Sequence, residues 1–292
     1  MGYRSVFRPD TFQNKTIIVT GGGSGIGRCT AHEIASLGAH VVLIGRKAEK
    51  LERVQAEIIE DGGSCDYHSC DIRDEDAVKA VVKIIVDIHG DIHGLVNNAG
   101  GQFPAPLLAI SKKGWDAVIA TNLTGGFLMA REVFNQSMSN HGGSIVNIVA
   151  DMWNGMPGMG HSGAARAGMV NFTQTASYEW GGAGVRVNAV APGWITSSGM
   201  DSYPDSFKSV IKTLRAAVPL GRMGNEAEVS SAICYLLSDA ANFISGTTIR
   251  IDGAASQGNV AIMPLQAHNT SKPFDGFHRE VVPDLFKTEA GE

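Results

Sequence analysis

The chain has 292 residues and a mass of 30.8 kDa, with a net charge of −5 and a pI near 6.0; hydrophobic residues make up 43% and charged residues 18%. This is apolar material enough for one large domain, which excludes a disordered chain. No long Lys/Arg block is present, which argues against a nucleic-acid partner, and the longest apolar runs, 40–44 and 145–150, fall far short of the roughly 20 residues of a membrane span.

Taken in chain order, KTIIVT (15–20), HVVLIG (40–45), SCDYHS (64–69), GLVNN (94–98), GSIVNIV (143–149), VRVNAVA (185–191) and TTIRID (247–252) read as strands. Most are continuous apolar runs, the mark of strands covered on both faces. Between them, 24–37, 47–60, 74–89, 112–138, 163–180 and 226–238 carry helical spacing. This alternation predicts an α/β fold: one Rossmann-type, doubly wound parallel sheet of about seven strands with helices on both faces. Residues 1–14 form an N-terminal arm and 15–254 the domain. A substrate lid occupies 197–220, and 255–292 is an unpatterned tail.

Glycine is the compositional outlier at 36 residues, about 12% of the chain against a background of roughly 7%. Five fall within 21–27 and ten within 151–200, mainly just after strands, where ligands of such sheets bind. Thr20, Gly21, Ser24, Gly25, Ile26 and Gly27 belong to a TGGGSGIG turn that follows a strand and opens a helix, the context in which backbone N–H groups cradle a pyrophosphate. At the end of the second strand Arg46 and Lys47 stand where an acid would read an unphosphorylated ribose, so NADP(H) is favoured over NAD(H). Asp71 ends the third strand and is suited either to the adenine amino group or to capping a helix.

The cysteines Cys29, Cys65, Cys70 and Cys234 lack metal-ligand spacing. Together with the absence of a secretory signal, they indicate a reducing, cytoplasmic setting. His89 and His93 are four apart but bracket a helix end and a loop, and no metal site is expected there.

TGGGSGIG at 20–27, Asp71, NNAG at 97–100, Asn122 in ATNLTG, and Pro192-Gly193 followed by Ile195-Thr196 together resemble the short-chain dehydrogenase/reductase family over about 240 residues. The resemblance implies that Asn98, Ala99 and Gly100 line the adenosine side and that Pro192, Gly193, Ile195 and Thr196 lie at the nicotinamide end. It also implies an Asn-Ser-Tyr-Lys catalytic set, of which only Asn122 is kept. Val149-Ala150-Asp151 stands at the serine position, Ser162 replaces the tyrosine and Arg166 the lysine. Arg166 keeps a fixed charge for the ribose, whereas a serine hydroxyl is too weak an acid to replace a phenol.

HSGAARAG at 161–168, with AGGQF at 99–103 and HGGSIVNI at 141–148, is similar to peroxisomal-type trans-2-enoyl-CoA reductases and to bacterial citronellol/citronellal-type dehydrogenases. The resemblance implies a small acyl-CoA or terpenoid substrate and a homotetramer built from the helices at 112–138 and 163–180, with the tail reaching a neighbouring subunit. His161, Ser162 and Arg166 join Asn122 as the candidate catalytic group. Ser162 reads equally as the cap of a helix starting at Gly163, and His161 as a solvent-facing helix boundary.

Overall fold

The computed structural model describes residues 2–258 and 262–289. Its main sheet has seven parallel strands: β1 (Thr16–Thr20), β2 (His40–Gly45), β3 (Ser64–Ser69), β4 (Gly94–Asn97), β5 (Gly143–Ile148), β6 (Val185–Pro192) and β9 (Thr248–Ile251). They are ordered β3-β2-β1-β4-β5-β6-β9, and the order reverses between β1 and β4. Two short strands, β7 (Ile195–Thr196) and β8 (Gly224–Asn225), pair separately.

Alternation within β1 and β2 divides the core. Ile17, Val19, Val41 and Leu43 pack toward α1 (Gly25–Ser36), α2 (Ala48–Glu60) and α9 (Glu226–Leu237). Ile18, Val42 and Ile44 face the other side. That side is covered by α3 (Glu75–His89), by α5 (Gly125–Val133) and by α7 (Gly160–Glu179). The doubly wound arrangement expected from the sequence is therefore present, the five inner strands supplying apolar residues to both faces and the edge strands β3 and β9 to one.

The helix expected at 112–138 is continuous in direction but not in pitch. α4 (Lys112–Ile119) and α5 are joined by a π-helical turn at Ala120–Thr124, and a second π turn at Phe134–Met138 leads to the short α6 (Ser139–His141). Such turns carry one residue more than the α-helical ladder requires. Asn122 lies inside the first. A further helix, α8 (Asp205–Leu214), forms within the expected lid.

The end of α9 is anchored electrostatically. Arg186 donates from Nη1 to the Leu236 carbonyl at 2.7 Å, and Ser144 Oγ donates to the same oxygen at 3.0 Å, so a cation meets the negative end of the helix. At its start, Asn225 and Glu228 form a reciprocal capping box that Arg222 braces through Glu228 at 2.6 Å.

Both chain ends pack onto α1 and α9. Phe12 is fully buried in the main core, and Phe277, 3% exposed, packs with Cys29, Ala227, Tyr3 and Phe274. Arg279 bonds Asp61 at 2.7 Å and Glu60 at 2.8 Å, and gives its carbonyl to Arg28 at 2.9 Å. The tail expected to reach a neighbour thus spends residues 274–279 on its own chain. Local periodicity could not reveal this, because each contact is made with a residue distant in sequence.

Glu226, the first residue of α9, is almost fully buried, and burial pushes its carboxyl up to about 7 from an ordinary 4.5. A carboxyl raised on folding favours the native state below its unfolded value, and that contribution is lost as pH climbs through the folded one. Glu226→Gln should be nearly neutral at pH 5 and should stabilise by about 1–2 kcal/mol at pH 8. Urea melts at the two pH values check this.

Candidate active site

The loops after β1 and β4, on either side of the sheet's reversal point, are stapled together. Thr20 Oγ1 accepts from the backbone N–H groups of Asn98 and Ala99, each at 3.0 Å, and donates to the Val96 carbonyl at 3.2 Å. Asn98 Nδ2 donates to the Thr20 carbonyl at 2.9 Å and the Gly21 carbonyl at 3.3 Å. Thr20 lies fully buried beneath the cleft, its hydroxyl already committed.

The staple dictates the glycines. Gly21 has φ +66°, and a Cβ there would stand 2.8 Å from Asn98 Nδ2. A Cβ on Gly27 would overlap the Asn98 amide and the Gly21 carbonyl, so the first turn of α1 can approach only without a side chain. Gly25 opens α1 at φ +60°.

Above this turn lies a cleft of about 380 Å³. Gly21, Ser24 and Ile26 line one wall; Asn98, Ala99 and Gly100 line the other. Arg46, Lys47 and Asp71 also line the cleft, with Lys50, Arg73 and Ser197, which sequence reasoning missed. Among the described residues the exposed side chains of Arg46 and Lys47 make no ion pair. Asp71 is engaged by Arg73, whose Nε lies 2.9 Å away, and this pairing holds the carboxyl at about 2. Asp71 does not cap α3; Asp74 does, accepting from Ala77 N–H at 3.0 Å.

The nicotinamide end was expected at Pro192, Gly193, Ile195 and Thr196. Pro192 and Gly193 line a second cavity of about 350 Å³, with Gln102, Asp151, Met156 and Phe207 among its other walls. Ile195 and Thr196 form β7, and Thr196 donates its hydroxyl to the Gly224 carbonyl at 3.0 Å. Burial, with the charge of Asp252 behind it, raises the Asp151 carboxyl above its usual range.

Asn122 and Arg166 converge on Gly100, which lines the first cleft. Asn122 binds the Gly101 peptide in both senses, donating to its carbonyl at 2.7 Å and accepting from its N–H at 2.9 Å. A Cβ on Gly100 would stand 2.7 Å from Asn122 Oδ1 and 2.8 Å from Arg166 Nη2, so glycine alone permits this approach. Arg166 donates from Nη1 to the Ile148 carbonyl at 2.7 Å, while its buried Nε has no partner. No carboxylate among the described residues pairs with it. Burial lowers the guanidinium to about 10, still charged at neutral pH.

Ser162 and His161 differ from their bland readings. α7 begins at Gly160 rather than Gly163, because the Met159 carbonyl accepts from the N–H groups of both Ser162 (2.9 Å) and Gly163 (3.1 Å). Ser162 is therefore inside the first turn, not its cap. Its Oγ donates to Gln102 Oε1 at 2.6 Å, and Gln102 Nε2 donates to the Tyr203 hydroxyl at 3.3 Å. His161 is fully buried, packed against the Phe103 ring at 4.5 Å, with Nε2 unpartnered. The Ser162–Gln102–Tyr203 chain was missed because Tyr203 sits in the lid, 41 positions on along the sequence, and its spacing reads as part of an apolar face.

Residues 21–256 match the family model described as enoyl-(acyl carrier protein) reductase. A protein of Bacillus subtilis (strain 168) named as a probable 2,4-dienoyl-CoA reductase is 37% identical over 248 residues, covering 82% of this chain and 96% of the relative. Among solved structures, the citronellol catabolism dehydrogenase of Pseudomonas aeruginosa PAO1 is 65% identical with a TM-score of 0.79, covering 87% of this chain and all of that one. A Beutenbergia cavernae protein whose solved structure is described as that of an NAD(P)-dependent gluconate 5-dehydrogenase, with NADP bound at low occupancy, is 29% identical with a TM-score of 0.79 over 86% of this chain and all of that one. With the sheet order, the glycine turn and the Asn122 position already in place, the chain belongs to the short-chain dehydrogenase/reductase family of oxidoreductases.

Proposed function

We propose that the protein uses NADP(H) to reduce a carbon–carbon double bond conjugated to a thioester, on a trans-2-enoyl-CoA-type substrate. The observation that carries this reading is Arg166: a part-buried guanidinium whose Nε is buried without partner and which meets no acid among the described residues, beside a serine where the family's phenol stands. An unpaired buried cation is costly unless a ligand supplies its partner.

The residues fit a phosphorylated dinucleotide. The glycine cradle admits a pyrophosphate against backbone N–H groups, Arg46 and Lys47 offer unpaired cations to a 2′-phosphate, and Arg166 offers donors to ribose hydroxyls. When bound, the nicotinamide supplies the hydride. Negative charge then develops on the thioester oxygen, where the Arg166 guanidinium provides a preorganised donor; the Ser162 hydroxyl proton is already given to Gln102 Oε1. Ser162 holds no readily lost proton at neutral pH, so the set suits enolate stabilisation better than proton delivery. The α-carbon takes its proton from water or from His161, whose Nε2 is free. Met156, Phe207, Val210 and Leu214 give the second cavity an apolar wall for the chain of the substrate.

A second reading, oxidation of an acyclic terpenoid alcohol, draws on the 65% identical citronellol catabolism dehydrogenase and on Tyr203, a phenol linked through Gln102 to Ser162. NADPH consumption with trans-2-enoyl-CoA supports the first reading. NADP-dependent citronellol oxidation without enoyl reduction would replace it, and tight NADPH binding with neither activity would leave a dinucleotide-binding protein without turnover.

Arg166→Ala should lower kcat/KM by about 100-fold or more, the loss of one charged donor to a developing oxyanion. Tyr203→Phe should leave enoyl reduction within about threefold; a loss of tenfold or more would instead favour a phenolic proton donor. Arg46→Asp should raise the KM for NADPH at least about tenfold while improving use of NADH, because a phosphate loses its cation and meets a like charge. The proposed assembly is a homotetramer through the long helices, supported by the exposure of Trp115, Phe127 and Tyr178 on α4, α5 and α7. Light scattering at the mass of four chains is expected, and a monomer would refute it.

A further inference from the structure

We infer that His40, Asp66 and His89 form a binding site for a tetrahedral divalent transition metal of the zinc class, at the end of the sheet remote from the dinucleotide cleft. Three separate elements supply the ligands: His40 is the first residue of β2, Asp66 lies on the edge strand β3, and His89 is the last residue of α3. The β2–β3 register places Ser64 opposite His40 and Asp66 opposite Val42, so Asp66 and His40 share a face under the period of two along a strand. The C-terminal turn of α3 brings His89 over that face, with the two imidazole centroids 4.3 Å apart.

The donor atoms converge as metal ligands do. Asp66 Oδ2 is 3.3 Å from His40 Nε2 and 3.2 Å from His89 Nε2, and one donor atom from each of the three residues lies within 4.8 Å of the others. With metal–ligand bonds of about 2.0–2.1 Å, a tetrahedral site spaces neighbouring donors by about 3.3 Å. Both Nε2 atoms are buried, and neither makes a hydrogen bond despite this proximity. An ordinary imidazole–carboxylate pair would align its N–H with the oxygen.

A surrounding feature favours a metal over a plain ion pair. His40 Nδ1 is held by Ser64 Oγ at 2.7 Å, an outer contact of the kind that orients a ligating imidazole. His68, two residues beyond Asp66 on the same face of β3, also has a buried Nε2 without partner. The fourth position is left to water. Occupied, the site ties the exposed edge strand β3 to β2 and α3. Sequence reading paired His89 with His93 and dismissed a metal; the structure gives His93 Nδ1 to the Thr16 N–H at 3.1 Å and leaves His89 to His40.

The test uses the full chain stripped with EDTA. Zinc sulfate titrated calorimetrically should bind at one equivalent per chain and raise the melting temperature. Cobalt(II) at the same site should show ligand-field absorption of tetrahedral intensity. His89→Gln should weaken zinc at least tenfold, and the His40→Ala/His89→Gln pair should abolish both the binding and the cobalt spectrum. The melting temperature and NADPH binding of the metal-free pair variant should match those of the metal-free parent. No saturable zinc binding, or equal zinc affinity and an unchanged cobalt spectrum in the pair variant, would overturn the proposal. A His93→Ala/His141→Ala variant should bind zinc like the parent, and loss of binding there would likewise overturn it.

Discussion

The reversal of strand order between β1 and β4 is the constraint on which the rest of this molecule depends, and one hydroxyl closes it. Thr20 Oγ1 receives the Asn98 and Ala99 N–H groups and returns a hydrogen bond to the Val96 carbonyl. Two loops that would diverge are thereby held face to face, with the cleft between them. Gly21 and Gly27 follow from that closeness, since the Asn98 amide occupies the space their side chains would need. Because all seven strands run the same way, every strand-end loop that builds the site opens at the same edge of the sheet.

The second constraint is electrostatic. Arg166 projects from α7 into a space bounded by Gly100, Asn122 and the Ile148 carbonyl, and finds no acid there. In a low-dielectric setting a permanent charge polarises whatever enters beside it. Asn122 contributes differently: its amide is consumed in fixing the Gly101 peptide, so it shapes the wall that Arg166 faces. A fixed cation beside a weakly acidic hydroxyl favours chemistry in which charge accumulates over chemistry in which a proton must arrive with the hydride.

Much of the fold was legible in the sequence because its signals are local. VVLIG and IIVT report strands buried on both faces within a few residues, and the TGGGSGIG turn states its own backbone geometry. The candidate site was legible as far as chain order carries it: residues drawn from 21–26, 46–47 and 98–100 line one cleft. What escaped depends on contacts between distant positions. Tyr203 reads as part of an apolar lid face until Gln102 is seen beneath its hydroxyl. The start of α7 was placed at Gly163 because Ser162 reads as a cap, whereas the Met159 carbonyl begins the helix three residues earlier. Phe277 and Arg279 sit in a stretch with no period at all, their partners on α1 and α2 being more than 200 residues away. His40, Asp66 and His89 carry no spacing motif, since a sheet register and a helix end bring them together.

The π turn at Ala120–Thr124 divides the long helix into two phases. Every side chain after it is rotated by about 100° relative to an uninterrupted α-helix, the angular share of one residue at 3.6 per turn. The stretch before the turn and the stretch after it are therefore indexed to different frames: α4 to the flank of α7 and α5 to the core beneath the sheet. A substitution in α5 perturbs one contact. The loss of a single residue at the π turn would re-register the whole downstream helix, withdrawing Leu128, Met129 and Val133 from their core positions together. Length, more than residue identity, sets the register of this segment.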